Sequence, residues 1–210
     1  MSVNPELSEL AQSVSLCQLA DCLGPAWPME TDIRPLSPRF RVWGPAVTVL
    51  CQPNDNLTLH HALHISPSDH VLVVSGSGGC EAALWGELMS MSAQARGLKG
   101  TILDCPARDV LEIEALGYPV FSLGITPRRA DKRKYGAIGV PISCGSLTVN
   151  AGDIIIADAN GILAVPPNRF AEVVAAAGEA ARKEKEIQEQ LQLGRTVFDM
   201  MALDRLIPKR

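Results

Sequence analysis

Aromatic residues are scarce in this chain of 210 residues: Phe, Trp and Tyr together make up 4% of it. Val, Ile, Leu and Ala must therefore fill the interior. A basic surplus is missing too. The formal net charge is −4, which speaks against a nucleic-acid partner, since such binders carry a basic face. None of the six cysteines, at positions 17, 22, 51, 80, 105 and 144, stands in a C-x-x-C pair. That excludes a zinc ribbon and a thioredoxin motif, and scattered thiols point to a reducing, cytoplasmic setting. The opening MSVNPELSEL carries acids and no apolar h-region, so no signal peptide is expected. No apolar stretch reaches membrane-spanning length, and no membrane partner is expected. There is no internal repeat, low-complexity tract or interdomain linker. A hydrophobic content of 47% with 20% charge is ordinary for a globular chain able to bury a good core, and one domain over 1–210 is expected.

What is present alternates between strand and helix signals. Asn4-Pro5-Glu6 reads as a helix start, the helix running in two pieces to Cys22 and ending at Gly24. The four prolines of residues 25–38 mark an extended connection. Phe40 to Gly44 and Pro45 to Cys51 read as strands broken at Gly44-Pro45, and Asp55-Asn56 opens a short helix through His64. That helix carries His60, His61 and His64. The first and last stand one turn apart, as zinc ligands do, but a zincin needs Glu where His61 stands, so all three read as structural or surface histidines. Val71 to Val74 is a continuous apolar run, the signature of a strand buried on both faces. The following Ser75-Gly76-Ser77-Gly78-Gly79 matches neither G-x-G-x-x-G nor a P-loop and reads as a flexible loop shaping a pocket wall.

Glu81 to Arg96 reads as a helix stopped by Gly97. Thr101 to Asp104 is a short buried strand, Cys105-Pro106-Ala107 turns the chain, and Arg108-Asp109 sits where the strand ends. Sites of α/β sheets gather at the carboxyl ends of strands. A guanidinium beside a carboxylate there can clamp a carboxylate substrate and hold a divalent cation; the plainer reading is a surface ion pair at a helix start. Val110 to Leu116 predicts a short helix closed by Gly117, with Glu112 on the same face as Asp109, and Tyr118 to Leu123 a further strand. The basic run Arg128 to Lys134 reads as a solvated loop rather than an anion site. Gly139 to Val149 and Asp153 to Val165 are strand-rich, with turn chemistry at Asn150 to Asp153 and Asp158 to Gly161; their hairpins predict a second, partly antiparallel sheet layer. A long helix over roughly Arg169 to Leu193 is apolar first and polar later. The tail that follows holds Val197, Phe198, Met200, Met201 and Leu203, and it is expected to pack on another subunit.

Gly86-Glu87, then twenty residues, then Arg108-Asp109 resembles the class II pyruvate aldolases that cleave 4-hydroxy-4-methyl-2-oxoglutarate. That family is similar in fold to the regulator of ribonuclease activity A. The resemblance spans roughly Ala20 to Pro166 and includes Gly44-Pro45-Ala46-Val47-Thr48-Val49, Asp55-Asn56, Pro119-Val120-Phe121, Gly152-Asp153 and Asp158-Ala159-Asn160-Gly161, in that order along the chain. It implies an α/β fold, a layered ββα sandwich. It also implies a divalent-metal-dependent lyase that releases pyruvate from a 4-hydroxy-2-keto acid and decarboxylates oxaloacetate through the same enolate.

By this resemblance Asp109 holds Mg²⁺ or Mn²⁺ with waters completing the shell. Arg108 contacts the substrate carboxylate and the enolate oxygen, and the amides of Leu88 and Met89, after Gly86, bind the carboxylate. Glu87 holds metal-bound water, which takes the proton from the 4-hydroxyl. A glutamate of the C-terminal helix, Glu186 with Glu184 next, serves the neighbouring subunit's site in a homotrimer or hexamer, through a helix and tail at about 167–210. Glu112 is either a second holder of water or a solvated helix glutamate. Two departures from the family stand out. Glu87 replaces Asp, moving its carboxylate by about 1.5 Å, and Cys105 stands where the family often has Gly and reads as packing. The alternative is a non-enzymatic ribonuclease regulator, which lacks a metal-binding acid after the Arg. A methyltransferase is a third reading, and no glycine motif for a methyl donor supports it.

Overall fold

In a computed structural model, which describes residues 10–208 apart from 12, 25, 26, 30 and 31, the apolar run becomes β3 (Val71–Ser75), buried at all five positions. It lies between β2 (Val42–Leu50) and β4 (Gly100–Ala107), parallel to both. β5 (Val120–Ile125) adds a fourth parallel strand, and the two-residue β1 (Arg34–Pro35) closes that edge antiparallel. Each parallel crossover carries a helix: α2 (Leu57–Ile65) between β2 and β3, α3 (Glu87–Ala95) between β3 and β4, and α4 (Val110–Leu116) between β4 and β5. This order places the carboxyl ends of β2, β3 and β4 side by side. The helix start expected at Asn4–Glu6 lies outside the described residues; α1 (Leu16–Leu23) is set by a Ser15/Gln18 capping box and ends at Gly24.

Three expectations are corrected here. β2 is one strand, with no break at Gly44-Pro45. Val42 to Pro45 pair with β9 (Ile154–Asp158) and Ala46 to Leu50 pair with β3, so Pro45, which has no N–H to donate, sits where the strand changes partner. Second, residues 105–107 do not turn the chain but continue β4, bulged against β5 between Leu103 and Pro106. A bulge tolerates a proline in the strand and re-aims the side chains around it. Third, only one hairpin forms a separate sheet. β7 (Ile142–Cys144) and β8 (Leu147–Val149) pair alone and pack on β3 and β2, whereas β9 and β10 (Gly161–Val165) extend the main sheet through β2, which also pairs β6 (Ala137–Ile138). The small sheet, the main sheet and the helices give the expected α/β, ββα-layered architecture.

Two apolar cores result. The larger fills the space around β2 to β5 and carries Trp85, Tyr118 and Phe121. The smaller packs α1 and the first half of α5 (Pro167–Gln192) against Ile154, Leu163 and Val165 of the β9–β10 hairpin. Beyond Ala177 the helix turns polar, and Leu191, Leu193, Val197, Phe198 and Met201 are exposed apolar residues. No helix among the described residues is long and apolar enough to cross a membrane.

Candidate active site

Arg108 and Asp109 follow directly on β4. Asp109 stands at the N-cap of α4 in the left-handed region (φ 58°, ψ 47°), yet its side chain makes no capping hydrogen bond there. A left-handed Asp is uncommon and strained. Here it aims the carboxylate across to α3, where Oδ2 accepts the Glu87 N–H at 3.1 Å and lies 3.4 Å from Arg108 Nε. Gly86 makes this approach sterically feasible. A Cβ at that residue would stand 2.5 Å from Asp109 Oδ2 and 3.2 Å from Arg108 Nε. Its φ of −161° is ordinary extended backbone, so the glycine is required by the closeness of the carboxylate and not by the backbone angles.

The expected helix over 81–96 begins only at Glu87. Residues 81–86 run extended because tertiary bonds claim their backbone. Glu81 and Ala82 N–H both donate to Asn54 Oδ1 at 2.8 Å, Ala83 donates to Arg128 O, and Leu84 donates to Pro106 O. Arg108 N–H donates to Trp85 O at 3.1 Å, fixing the end of β4 to this segment. The Trp85 ring is anchored in turn: Nε1 donates to Ser90 Oγ at 2.7 Å, and the ring stacks on Tyr118.

A cavity of about 190 Å³ opens between these elements, lined by Gly86, Leu88, Met89, Arg108 and Asp109 together with Asn56, His60, Arg129 and Lys132. The basic run is therefore not simply a solvated loop, since two of its cations reach the cavity. It is pinned there by Asp55, only 2% exposed, whose Oδ1 accepts Leu57 N–H and whose Oδ2 accepts Arg133 and Lys134 N–H. Burial pushes the Asp55 carboxyl up, but these N–H groups and the Lys134 charge together hold it below the usual carboxylate range. Burial and the Lys132 charge hold His60 below its ordinary value, favouring neutral imidazole. Asn56 Oδ1 is buried and has no hydrogen-bond partner among the described residues, while its Nδ2 donates to Leu84 O at 2.9 Å.

The structure thus brings Gly86, Leu88, Met89, Arg108 and Asp109 together. Leu88 and Met89 stand in the first turn of α3, where a helix leaves N–H groups without intrahelical acceptors. Glu87 contributes its backbone N–H to the cluster, and its side chain is not part of the cavity lining; neither is that of Glu112. Within one chain Glu186 is also absent from the cavity lining, and its neighbour Glu184 accepts from Gln18 on α1 at 2.6 Å. Gly76 to Gly79 do not shape the cavity wall as expected. His60, Arg129 and Lys132 are functional candidates that spacing alone did not single out. Their only signals were a histidine without a metal partner and a basic run without periodicity.

A metal that needs an all-protein cage does not fit, since no cluster of three or more His, Cys, Asp or Glu is found among the described residues. A hydrated Mg²⁺ or Mn²⁺ does fit. Such ions take one or two carboxylates and keep several waters, and Asp109 presents a carboxylate over the space that Gly86 leaves empty.

Known proteins share this frame. A protein of Halalkalibacterium halodurans, provisionally named a 4-hydroxy-4-methyl-2-oxoglutarate aldolase, is 32% identical over 74% of this chain and 74% of its own. The crystal structure of an uncharacterized protein from Pseudomonas syringae superposes with a TM-score of 0.84 at 30% identity, covering 93% of this chain and 92% of that one. Streptomyces coelicolor RraAS2, described as an unusual member of the RNase ES inhibitor RraA protein family, superposes with a TM-score of 0.81 over 90% of this chain and all of its own; at 24% identity this likeness is one of fold. The family model described as RraA-like, Aldolase/RraA, matches residues 16–164, and the chain belongs to that family.

Proposed function

We propose that the chain is a divalent-metal-dependent lyase that cleaves a 4-hydroxy-2-keto acid of the 4-hydroxy-4-methyl-2-oxoglutarate type and releases pyruvate. The observation that carries this reading is the Asp109 carboxylate held between the Glu87 N–H and Arg108 over the gap at Gly86. Breaking the bond between C3 and C4 leaves the electron pair on a pyruvate enolate, so the site must stabilise negative charge on the keto oxygen. A cation on Asp109 supplies Lewis-acid polarisation of that oxygen, with no Schiff-base lysine required.

The chain's own groups do the rest. The amides of Leu88 and Met89 bind the carboxylate next to the keto group. The Arg108 fork, oriented by Asp109, spans that carboxylate and the enolate oxygen, a planar task to which lysine is unsuited. Glu87 is assigned to hold the water that takes the proton from the 4-hydroxyl, and Glu112 remains the second candidate. Arg129 and Lys132, which also line the cavity, are assigned to the distal carboxylate of a dicarboxylic substrate. Oxaloacetate gives the same enolate on losing its distal carboxylate as carbon dioxide, so decarboxylation is expected as a second activity. The exposed apolar tail supports assembly into a trimer or hexamer in which Glu186 reaches a neighbour's site.

The alternative, non-enzymatic control of a ribonuclease, draws on the fold shared with the Streptomyces protein; Asp109 supports the enzyme reading. The test is pyruvate release by purified protein with Mn²⁺ from a panel of 4-hydroxy-2-keto acids and oxaloacetate. Turnover of the dicarboxylic members is expected, and no release from any of them would refute the proposal.

A further inference from the structure

The carboxyl ends of β2, β3 and β4 carry a feature that the lyase reading does not use. Leu50, Ser75 and Asp104 are paired across the three strands, so Cys51, Gly76 and Cys105 head the next row of the sheet. Gly76 leaves a gap in that row, and thiols occupy it. A Cβ on Gly76 would lie 2.2 Å from Cys105 Sγ, 3.1 Å from Cys80 Cβ and 3.2 Å from Cys80 Sγ. The two sulfurs therefore sit together over the glycine, and Cys80 Sγ also donates to Ala82 O at 3.7 Å.

The pair is unequal in the way that reversible thiol chemistry needs. Cys80 is half-buried and reachable, whereas Cys105 is fully buried. The neighbouring Cys105 side chain draws the Cys80 thiol down to about 7, against the opposing effect of burial, with backbone groups at Asn54 and Ala82 aiding the shift and the Asp104 charge opposing it. The same contact with Cys80, and then burial, hold Cys105 protonated. An accessible thiolate beside a buried thiol is the arrangement of an attacking and a resolving cysteine. Cys51 is close by but fully buried, and burial pushes it up to about 12.

We propose that Cys80 and Cys105 are a modification site that closes into a reversible disulfide when the protein meets an oxidant of the peroxide class. The Cys80 thiolate attacks a peroxide oxygen. A sulfur–oxygen bond forms, the oxygen–oxygen bond breaks, and the departing hydroxide leaves as water after taking a proton from solvent. Cys105 sulfur then attacks the sulfenic sulfur of Cys80. The sulfur–sulfur bond forms, the sulfur–oxygen bond breaks, and the leaving hydroxide takes the Cys105 proton to become a second water. Two thiols are oxidised by one peroxide, and a dithiol reductant reverses the step by exchange. The bridge would tie the start of the 81–86 segment to β4 just ahead of Arg108, alongside the Leu84–Pro106 and Trp85–Arg108 backbone bonds that already join them.

The test needs no enzymatic activity, so it stands apart from the lyase proposal. Reduced full-length protein is treated with hydrogen peroxide, denatured, alkylated and mapped by mass spectrometry. Two of the six thiols should escape alkylation, in one crosslinked pair of peptides containing Cys80 and Cys105, and dithiothreitol should restore both. Cys80→Ser, at a half-exposed residue, should abolish the crosslink and leave every remaining thiol alkylatable. Cys105→Ser should leave Cys80 as a sulfenic acid trapped by dimedone. Six alkylatable thiols after peroxide, a bridge from Cys80 to Cys51, or wild-type Cys80 oxidised to sulfinic acid without a crosslink would each overturn the proposal.

Discussion

Asp109 caps a helix to which it does not belong: its Oδ2 accepts the Glu87 N–H, the first amide of α3, at 3.1 Å, while α4, which it precedes, receives no side-chain cap. One carboxylate thereby holds the Arg-Asp corner against the turn that presents the Leu88 and Met89 amides. That relationship organises the site, and it rests on the missing side chain at Gly86.

Gly86→Ala should accordingly disable the site while sparing the fold. The new methyl would stand 2.5 Å from Asp109 Oδ2, and the carboxylate has to leave the Glu87 amide to make room. Pyruvate release is expected to fall by about 100-fold or more, the scale of losing one preorganised contact, with thermal unfolding little changed. Near-normal turnover in this variant would mean that the carboxylate–amide contact is dispensable.

Much of this arrangement was legible in the residues. The apolar run of β3, the helix from Val110 to Leu116 and the glycines that end helices are local signals, and they held. Arg108-Asp109 was legible as a charged pair at a strand end, whereas Gly86, Leu88 and Met89 were placed beside it by the family resemblance. What was not legible depends on partners distant in the chain. Residues 81–86 have helical composition but spend their hydrogen bonds on Asn54, Arg128 and Pro106. Pro45 and Pro106 signal breaks, yet both sit in continuous strands, one at a change of pairing partner and one at a bulge. Arg129 and Lys132 reach the cavity because a buried aspartate 78 residues away from Arg133 binds the loop backbone, and no local pattern encodes that.

Asp55 gives a pH prediction with a definite sign. Its folded value lies below its ordinary value of 3.8. The stabilisation it contributes is therefore full above that value and is lost as pH falls through the lower folded one. Asp55→Asn should cost about 2 kcal/mol at neutral pH, the scale of hydrogen bonds to a buried charged group. The gap between wild type and variant in urea unfolding should narrow as pH drops below about 4. A gap of constant size down to strongly acidic pH would contradict the assignment.

Assembly is tested by complementation. If Glu186 serves the site of a neighbouring copy, Arg108→Ala and Glu186→Ala should each be nearly inactive alone. Mixed under subunit exchange, they should regain part of the activity, because some interfaces join two intact partners. Absence of recovery despite verified exchange would place the whole site within one chain or assign the wrong glutamate.

The most direct test of the central claim is the metal dependence of pyruvate release in wild type and in variants of the Arg-Asp pair. EDTA should abolish release and Mg²⁺ or Mn²⁺ should restore it. Asp109→Asn should need far more metal for half-maximal rate. Arg108→Lys should keep the wild-type metal requirement but lose about 2–4 kcal/mol of transition-state stabilisation. Full activity after exhaustive metal removal, or an Arg108→Lys enzyme with near-normal kcat, would contradict the account.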